Sequence, residues 1–236
     1  MFRLFYTPEW FNGWDIVFEV VGLFITLLIA AYSWRIYRVN KENRYMYFSL
    51  AFLFVAISLL AKVFTSSLLY FTPIRDVAAD VLRPIAGPRL SFSELYYRSA
   101  FFVQMVSMLG AWLLIFFISQ KSRARLHKFY EVSQIALFIY LVLLISFVAN
   151  FKYFVFYLTS SVLLGLIVLN YYKNYLNTNK NKYAWLVMFS FFFILIGNIS
   201  FVFVFLMRGL YAVGEILLLL GFLMLLYTYR KIVGTR

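Results

Sequence analysis

The sequence predicts an all-α integral membrane protein, a seven-helix transmembrane bundle with its N-terminus outside and its C-terminus in the cytoplasm. Three observations lead there. The 236 residues are 64% hydrophobic, 22% aromatic and only 13% charged, whereas a soluble domain is about half apolar and a quarter charged. A core of this size cannot hide so much apolar surface from water, so lipid covers the rest. Apolar runs long enough to cross a bilayer recur seven times along the chain. Basic residues gather in alternate connections between those runs.

The spans are predicted at 14–36, 45–71, 98–119, 129–149, 153–172, 183–207 and 209–229, within one membrane domain covering 1–236. Each has roughly the 20 residues that cross 30 Å at 1.5 Å per residue. The stretch before the first span carries Arg3 but also Glu9 and Asp15. It lacks the basic start and small-residue cleavage site of a signal peptide. The sizeable external connection is 72–97. Ile74, Val77, Ala78, Val81, Leu82 and Ile85 repeat there at helical spacing, with Arg75, Asp76, Asp80 and Arg83 opposite. That pattern predicts a short amphipathic helix stopped by Pro84. Ser91 and Glu94 have capping-box spacing, which predicts a third helix starting near Phe92. Two boundaries need very tight turns, one at Asn150-Phe151-Lys152 and one at Arg208-Gly209.

Orientation follows from the connections. Arg35, Arg38, Lys41 and Arg44 flank the first, Lys121, Arg123, Arg125 and Lys128 the third, and Lys173, Lys180 and Lys182 the fifth; Arg230, Lys231 and Arg236 end the chain. With seven crossings all of these fall on one side, which the positive-inside rule makes cytoplasmic. The opposite side dilutes its arginines with Glu9, Asp76, Asp80 and Glu94. The formal charge of +13 is therefore a topology signal and not a nucleic-acid footprint, and the predicted location is the cell membrane, as a multi-pass protein.

Several classes of chemistry are not encoded. Cysteine is absent and His127 is the only histidine, which argues against disulfides, thiol chemistry, iron–sulfur clusters, haem and zinc. There is no Gly-rich phosphate loop and no Ser/His/Asp set. The expectation is a protein without cofactor or enzymatic activity. Its partners are the lipid bilayer, a small-molecule ligand, and a cytoplasmic or membrane partner protein docking on the basic inner face. Phe191-Phe192-Phe193 and the Tyr and Trp at helix ends read as lipid-facing bulk and interface anchors.

An internal repeat is predicted. At a fixed offset, Arg35 meets Lys173, Tyr37 meets Tyr175, Asn43 meets Asn181, Arg44 meets Lys182 and Tyr45 meets Tyr183; at a second, smaller offset, which the long external connection of the first half explains, Gln104 meets Glu215 and Gly110 meets Gly221. Three helices, one linker helix and three more make a parallel 3+1+3 repeat. In helix count and orientation this resembles the three-one-three sugar transporters of the SWEET type and, more distantly, seven-helix rhodopsins. The Pro-Gln signature implied by the first resemblance is missing, since Pro8, Pro73, Pro84 and Pro88 all lie outside the spans. The last-helix lysine implied by the second is missing between Gly209 and Tyr229.

The stretch Leu59–Ser67, LLAKVFTSS, puts Lys62 inside an apolar run, where insertion scales charge roughly 2.5–3.5 kcal/mol. Counting from span ends, Glu19, Lys62 and Glu215 fall in the outer half within roughly 6 Å of one another in height. Gln104 and Asn198 reach similar levels, so five helices place a polar side chain at one depth. They sit on polar or small-residue stripes: Asp15, Glu19, Gly22, Thr26, Ala30 and Ser33; Ala51, Ser58, Lys62 and Thr65; Ala100, Gln104, Ser107 and Ala111; Ser190, Gly197 and Asn198. Helical spacing turns each stripe to the bundle interior. Lys62 is expected to pair with Glu19 or Glu215, either as a packing ion pair or as a small-molecule or ion site. Two functions fit such a site. One is a ligand-sensing or regulatory seven-helix module. The other is a small-solute transporter, coupled to protons through Glu215 or Glu19.

Overall fold

The computed structural model describes residues 7–70, 92–120, 153–178 and 181–234. Among them are six helices long and apolar enough to cross a membrane. They are α1 (Trp14–Asn40), α2 (Asn43–Tyr70), α3 (Phe92–Ser119), α4 (Tyr153–Asn177), α5 (Lys182–Val202) and α6 (Gly209–Gly234). The predicted span 129–149 and the predicted amphipathic helix within 72–97 lie outside the described residues, as does His127.

The helix ends follow local chemistry. Lys41 stops α1 in the left-handed conformation, its N–H bonded to the Tyr37 carbonyl at 2.8 Å. Asn181 caps α5, its side chain accepting from the Tyr183 N–H at 2.9 Å. The α3 helix starts at Phe92, where the Ser91/Glu94 spacing predicts it. One boundary is corrected. The sixth predicted span runs to 207, but α5 ends at Val202 and residues 203–206 form turns, with the Leu206 N–H on the Phe203 carbonyl at 2.9 Å. Reversing the chain between two packed antiparallel helices takes more residues than Arg208-Gly209 supply.

The helices form a closed ring. Each packs on its neighbours in chain order, and α6 closes against α1. Their directions can be read from contacts. Ser33 near the end of α1 donates to the Tyr45 carbonyl at the start of α2 at 2.9 Å, and Ser49 to the Ala30 carbonyl at 2.8 Å, so these two are antiparallel. The stack of Tyr171 on Phe191 (centroids 5.0 Å apart) and the tilted contact of Tyr157 with Phe201 (4.8 Å) make α4 and α5 antiparallel. The α3 and α4 pair differs. Phe101 meets Phe156 edge-on at 5.9 Å near the start of both, and Asn170 Nδ2 donates to Ser119 Oγ at 3.0 Å near the end of both. They run side by side in the same direction.

The ring presents one face of each helix to its interior. On α1, Asp15, Glu19, Gly22, Thr26, Ala30 and Ser33 are all buried, while Val17, Val21, Phe24 and Leu28 are exposed on the opposite face. That division suits a bundle whose outer surface meets lipid. The interior is not only small and polar. Trp112, Tyr211, Phe52, Phe101, Phe156, Phe191, Phe201 and Phe222 are among its fully buried side chains. Phe191 corrects the reading of 191–193 as lipid-facing: it is wholly buried against Tyr171, while Phe192 is exposed. Where α5 meets α6 the backbones touch. A Cβ on Gly197 would stand 2.9 Å from the Gly214 carbonyl oxygen, and one on Gly221 2.8 Å from the Ser190 carbonyl oxygen. Side-chain-free positions are what permits that approach.

Candidate functional site

Lys62 sits two-thirds of the way along α2 and is 3% exposed. Its stripe faces inward because Ala51, Val55, Ser58, Lys62 and Thr65, all buried, recur at three and four residues. Lys62 Nζ donates a hydrogen bond to Glu215 Oε1 on α6. It also stands 3.0 Å from Glu19 Oε1 on α1. The ion set therefore ties together α1, α2 and α6, where the ring closes. Both Glu19 carboxylate oxygens are buried, and beyond the ammonium beside Oε1 neither has a hydrogen-bond partner among the described residues.

Rings complete the surroundings. The Phe201 centroid on α5 lies 5.5 Å from Lys62 Nζ and the Tyr211 centroid on α6 lies 5.3 Å from it, both within cation–π reach. Phe201 and Tyr211 are 5.4 Å apart, and Phe201 leans on Tyr157. Above them the 3-10 turn Glu9–Phe11 folds over the end of the ring, placing the buried Phe11 6.3 Å from Tyr211. At the top of the α1 stripe, Asp15 Oδ1 accepts from the N–H groups of Gly13 and Ile16 at 2.9 and 3.0 Å.

The charges of the set do not balance. Two carboxylates face one ammonium in a buried place, so the set carries one negative charge in excess when all three are ionised.

Glu19, Lys62 and Glu215 are thus brought together, as their shared depth predicts. The other two predicted site residues are buried but have different partners. Asn198 Oδ1 accepts from Ser160 Oγ on α4 at 2.9 Å, and its Nδ2 donates to the Ile194 carbonyl at 3.0 Å. The backbone carbonyl of Gln104 accepts from Ser58 Oγ at 3.0 Å, while its side-chain Oε1 has no partner among the described residues. Tyr211, Phe201, Tyr157 and Ser160 are missing from the sequence-based set. Tyr211 precedes Glu215 by four residues and Phe201 follows Asn198 by three, so helical spacing from known polar positions would have found the first two.

Among the described residues no cluster of three or more His, Cys, Asp or Glu could hold a metal ion. No protein-family model matches this chain, and no curated protein or solved structure is detectably similar to it.

Proposed function

We propose that the chain is a ligand-sensing or regulatory membrane module, in which a small solute bound at the Glu19–Lys62–Glu215 set in the outer half shifts helices whose inner ends face a cytoplasmic partner. The observation that carries this is the ion set itself. Ionisable groups inside a membrane bundle are expensive and mark functional sites, and this set joins three helices while Phe201 brings in a fourth. A solute that alters the ammonium's partners alters the spacing of α1, α2, α5 and α6 together.

Sensing is favoured over transport by what lies below the site. Between α2 and α6, Phe52 meets Phe222 at 6.5 Å and Phe48 stacks on Tyr229 at 5.0 Å. The buried hydroxyls toward that end are already bonded to backbone: Ser33 to Tyr45, Ser49 to Ala30, Ser190 to Leu186 and Thr228 to Met224. They offer little to a solute moving inward. Transport remains the second reading, because α1–α2–α3 and α4–α5–α6 follow each other round the ring in matching directions. Two equivalent three-helix units of that kind suit rocking about a central site.

The seventh crossing belongs to the same proposal. The parallel direction of α3 and α4 supports taking a further crossing between them. The apolar run 129–149 is long enough. Seven crossings put the basic ends on the cytoplasmic side. Cysteines introduced at Asn12 and Thr235 are then expected to react with an impermeant maleimide from opposite sides of sealed cells. Reaction from the same side would mean an even number of crossings.

The function is tested on purified protein in nanodiscs and in sealed vesicles. A thermal-shift panel of amino acids, amines, carboxylic acids and monosaccharides is expected to contain at least one class that raises Tm, with the rise lost in Glu19→Gln. Spin labels at the exposed inner-end positions Tyr47 on α2 and Tyr227 on α6 should change separation with that solute. The vesicles should show no uptake of it. Protein-dependent uptake would make the chain a transporter. No Glu19-dependent binder in any class would reduce the ion set to a packing device.

A further inference from the structure

Three features of the ion set point to the charge and shape of what it takes. First, the acidic groups outnumber the basic one. Among the residues whose side chains are described Lys62 is the one buried lysine or arginine, so an anionic solute would meet no second buried cation among them. Second, Glu19 keeps both oxygens buried; the ammonium stands 3.0 Å from Oε1, and Oε2 has no hydrogen-bond partner among the described residues. Buried acceptors left in that state cost free energy unless a donor reaches them. Third, the walls beside the ammonium are the rings of Phe201 and Tyr211 at 5.5 and 5.3 Å. Carboxylates combined with ring faces form a receptor for an organic cation.

We propose that Glu19, Glu215, Phe201 and Tyr211 form a site for a small primary alkylammonium ion, and that the Lys62 side chain is its tethered occupant. This rests on the reading that the ion set is a ligand site, and adds the class of ligand. Lys62 is itself a primary alkylammonium on a four-carbon stem. Exchange of its head for that of a free amine keeps the charge count and replaces like with like. A primary ammonium offers three N–H donors, which suits two converging carboxylates; a quaternary ammonium has none. The displaced lysine lies in the outer half of α2, and its flexible stem lets the head swing toward the membrane surface. Ligand binding would then free α2 from α1 and α6, which is the helix shift that sensing needs.

The test is a thermal-shift titration of Lys62→Ala and of the unmodified protein with butylammonium chloride. Tetramethylammonium chloride and potassium chloride at equal concentration control for bare charge and salt. Butylammonium is expected to stabilise Lys62→Ala saturably, restoring about half of the lost Tm shift near a hundredfold excess over Kd. The unmodified protein should respond too, with half-saturation at roughly tenfold or more higher concentration because Lys62 competes from within. A folded Lys62→Ala that ignores butylammonium overturns the proposal. So does an equal response to tetramethylammonium or potassium, or a response that survives Glu19→Gln combined with Glu215→Gln. If Lys62→Ala does not fold, the titration of the unmodified protein decides, and no shift there overturns the proposal. A Glu19-dependent response to another solute class, with amines inert, sinks the ammonium site and leaves the sensing reading intact. Amine binding without movement of the labels at Tyr47 and Tyr227 supports the site and overturns sensing.

Discussion

Lys62→Met is expected to lower stability by about 3–5 kcal/mol, because removing one partner of a buried ion pair leaves its counter-charge uncompensated. Here it leaves two, since Glu215 loses its hydrogen-bond donor and Glu19 loses an ammonium at 3.0 Å. For a chain of this size that corresponds to a fall in Tm of roughly 6–20 °C. Methionine keeps most of the length and volume of the stem, so the loss reads out the missing ammonium more than a cavity. Adding Glu215→Gln should recover part of the fall, and adding Glu19→Gln as well should recover most of it. The ordering matters. If Lys62→Met with Glu215→Gln were already as stable as the unmodified protein, Glu19 would not be sharing the ammonium. If the triple variant were no better than Lys62→Met, burial of charge would not be the cause of the loss. A stable triple variant that kept every ligand response would show that the ion set serves packing alone.

This ion set was legible in the sequence for a specific reason. Depth along a membrane helix follows from residue count, and a charged residue in an apolar run has to face inward, so counting and charge together determine both height and face. Depth does not give the neighbour. Asn198 and Gln104 stand at the expected height and are buried, yet Asn198 bonds to Ser160 and the Gln104 carbonyl to Ser58. Which helix lies beside which depends on the order of the ring, and a row of apolar spans does not encode that order. The aromatic walls were hidden for a different reason. Lipid tails are as apolar as a protein core, so Phe191 and Phe192 look alike by hydropathy although one is buried and the other faces outward. Only packing separates them. Likewise Phe201 and Tyr211 gain their role from the lysine they face, which is on another helix.

The α5–α6 seam makes the link between packing and site open to test. Gly214→Ala is expected to cost about 1–3 kcal/mol, the range for forcing extra volume into a packed interior. Its Cβ would stand 2.8 Å from Phe201 Cε1 and 3.0 Å from the Gly197 carbonyl oxygen. Phe201 cannot swing clear, because Tyr157 and Tyr211 hold it at 4.8 and 5.4 Å. The helices must separate instead, and with them Glu215 and Phe201 move away from Lys62. Gly221→Ala should behave similarly in stability, since the Ser190 carbonyl oxygen blocks its Cβ at 2.8 Å. It lies nearly two turns from Glu215 and should disturb ligand response less. Gly110→Ala and Gly165→Ala supply the contrast: a Cβ at either meets nothing within 4 Å. There alanine should be neutral, or stabilising by up to about 1 kcal/mol through its better helix propensity. Thermal unfolding of the four variants in nanodiscs separates the two pairs. Gly214→Ala as stable as Gly165→Ala would mean that α5 and α6 do not approach so closely, and the position of Phe201 beside the ammonium would fall with that contact. The combination of a lowered Tm and a weakened solute response in Gly214→Ala, against a lowered Tm alone in Gly221→Ala, is the outcome that ties the glycine seam to the site.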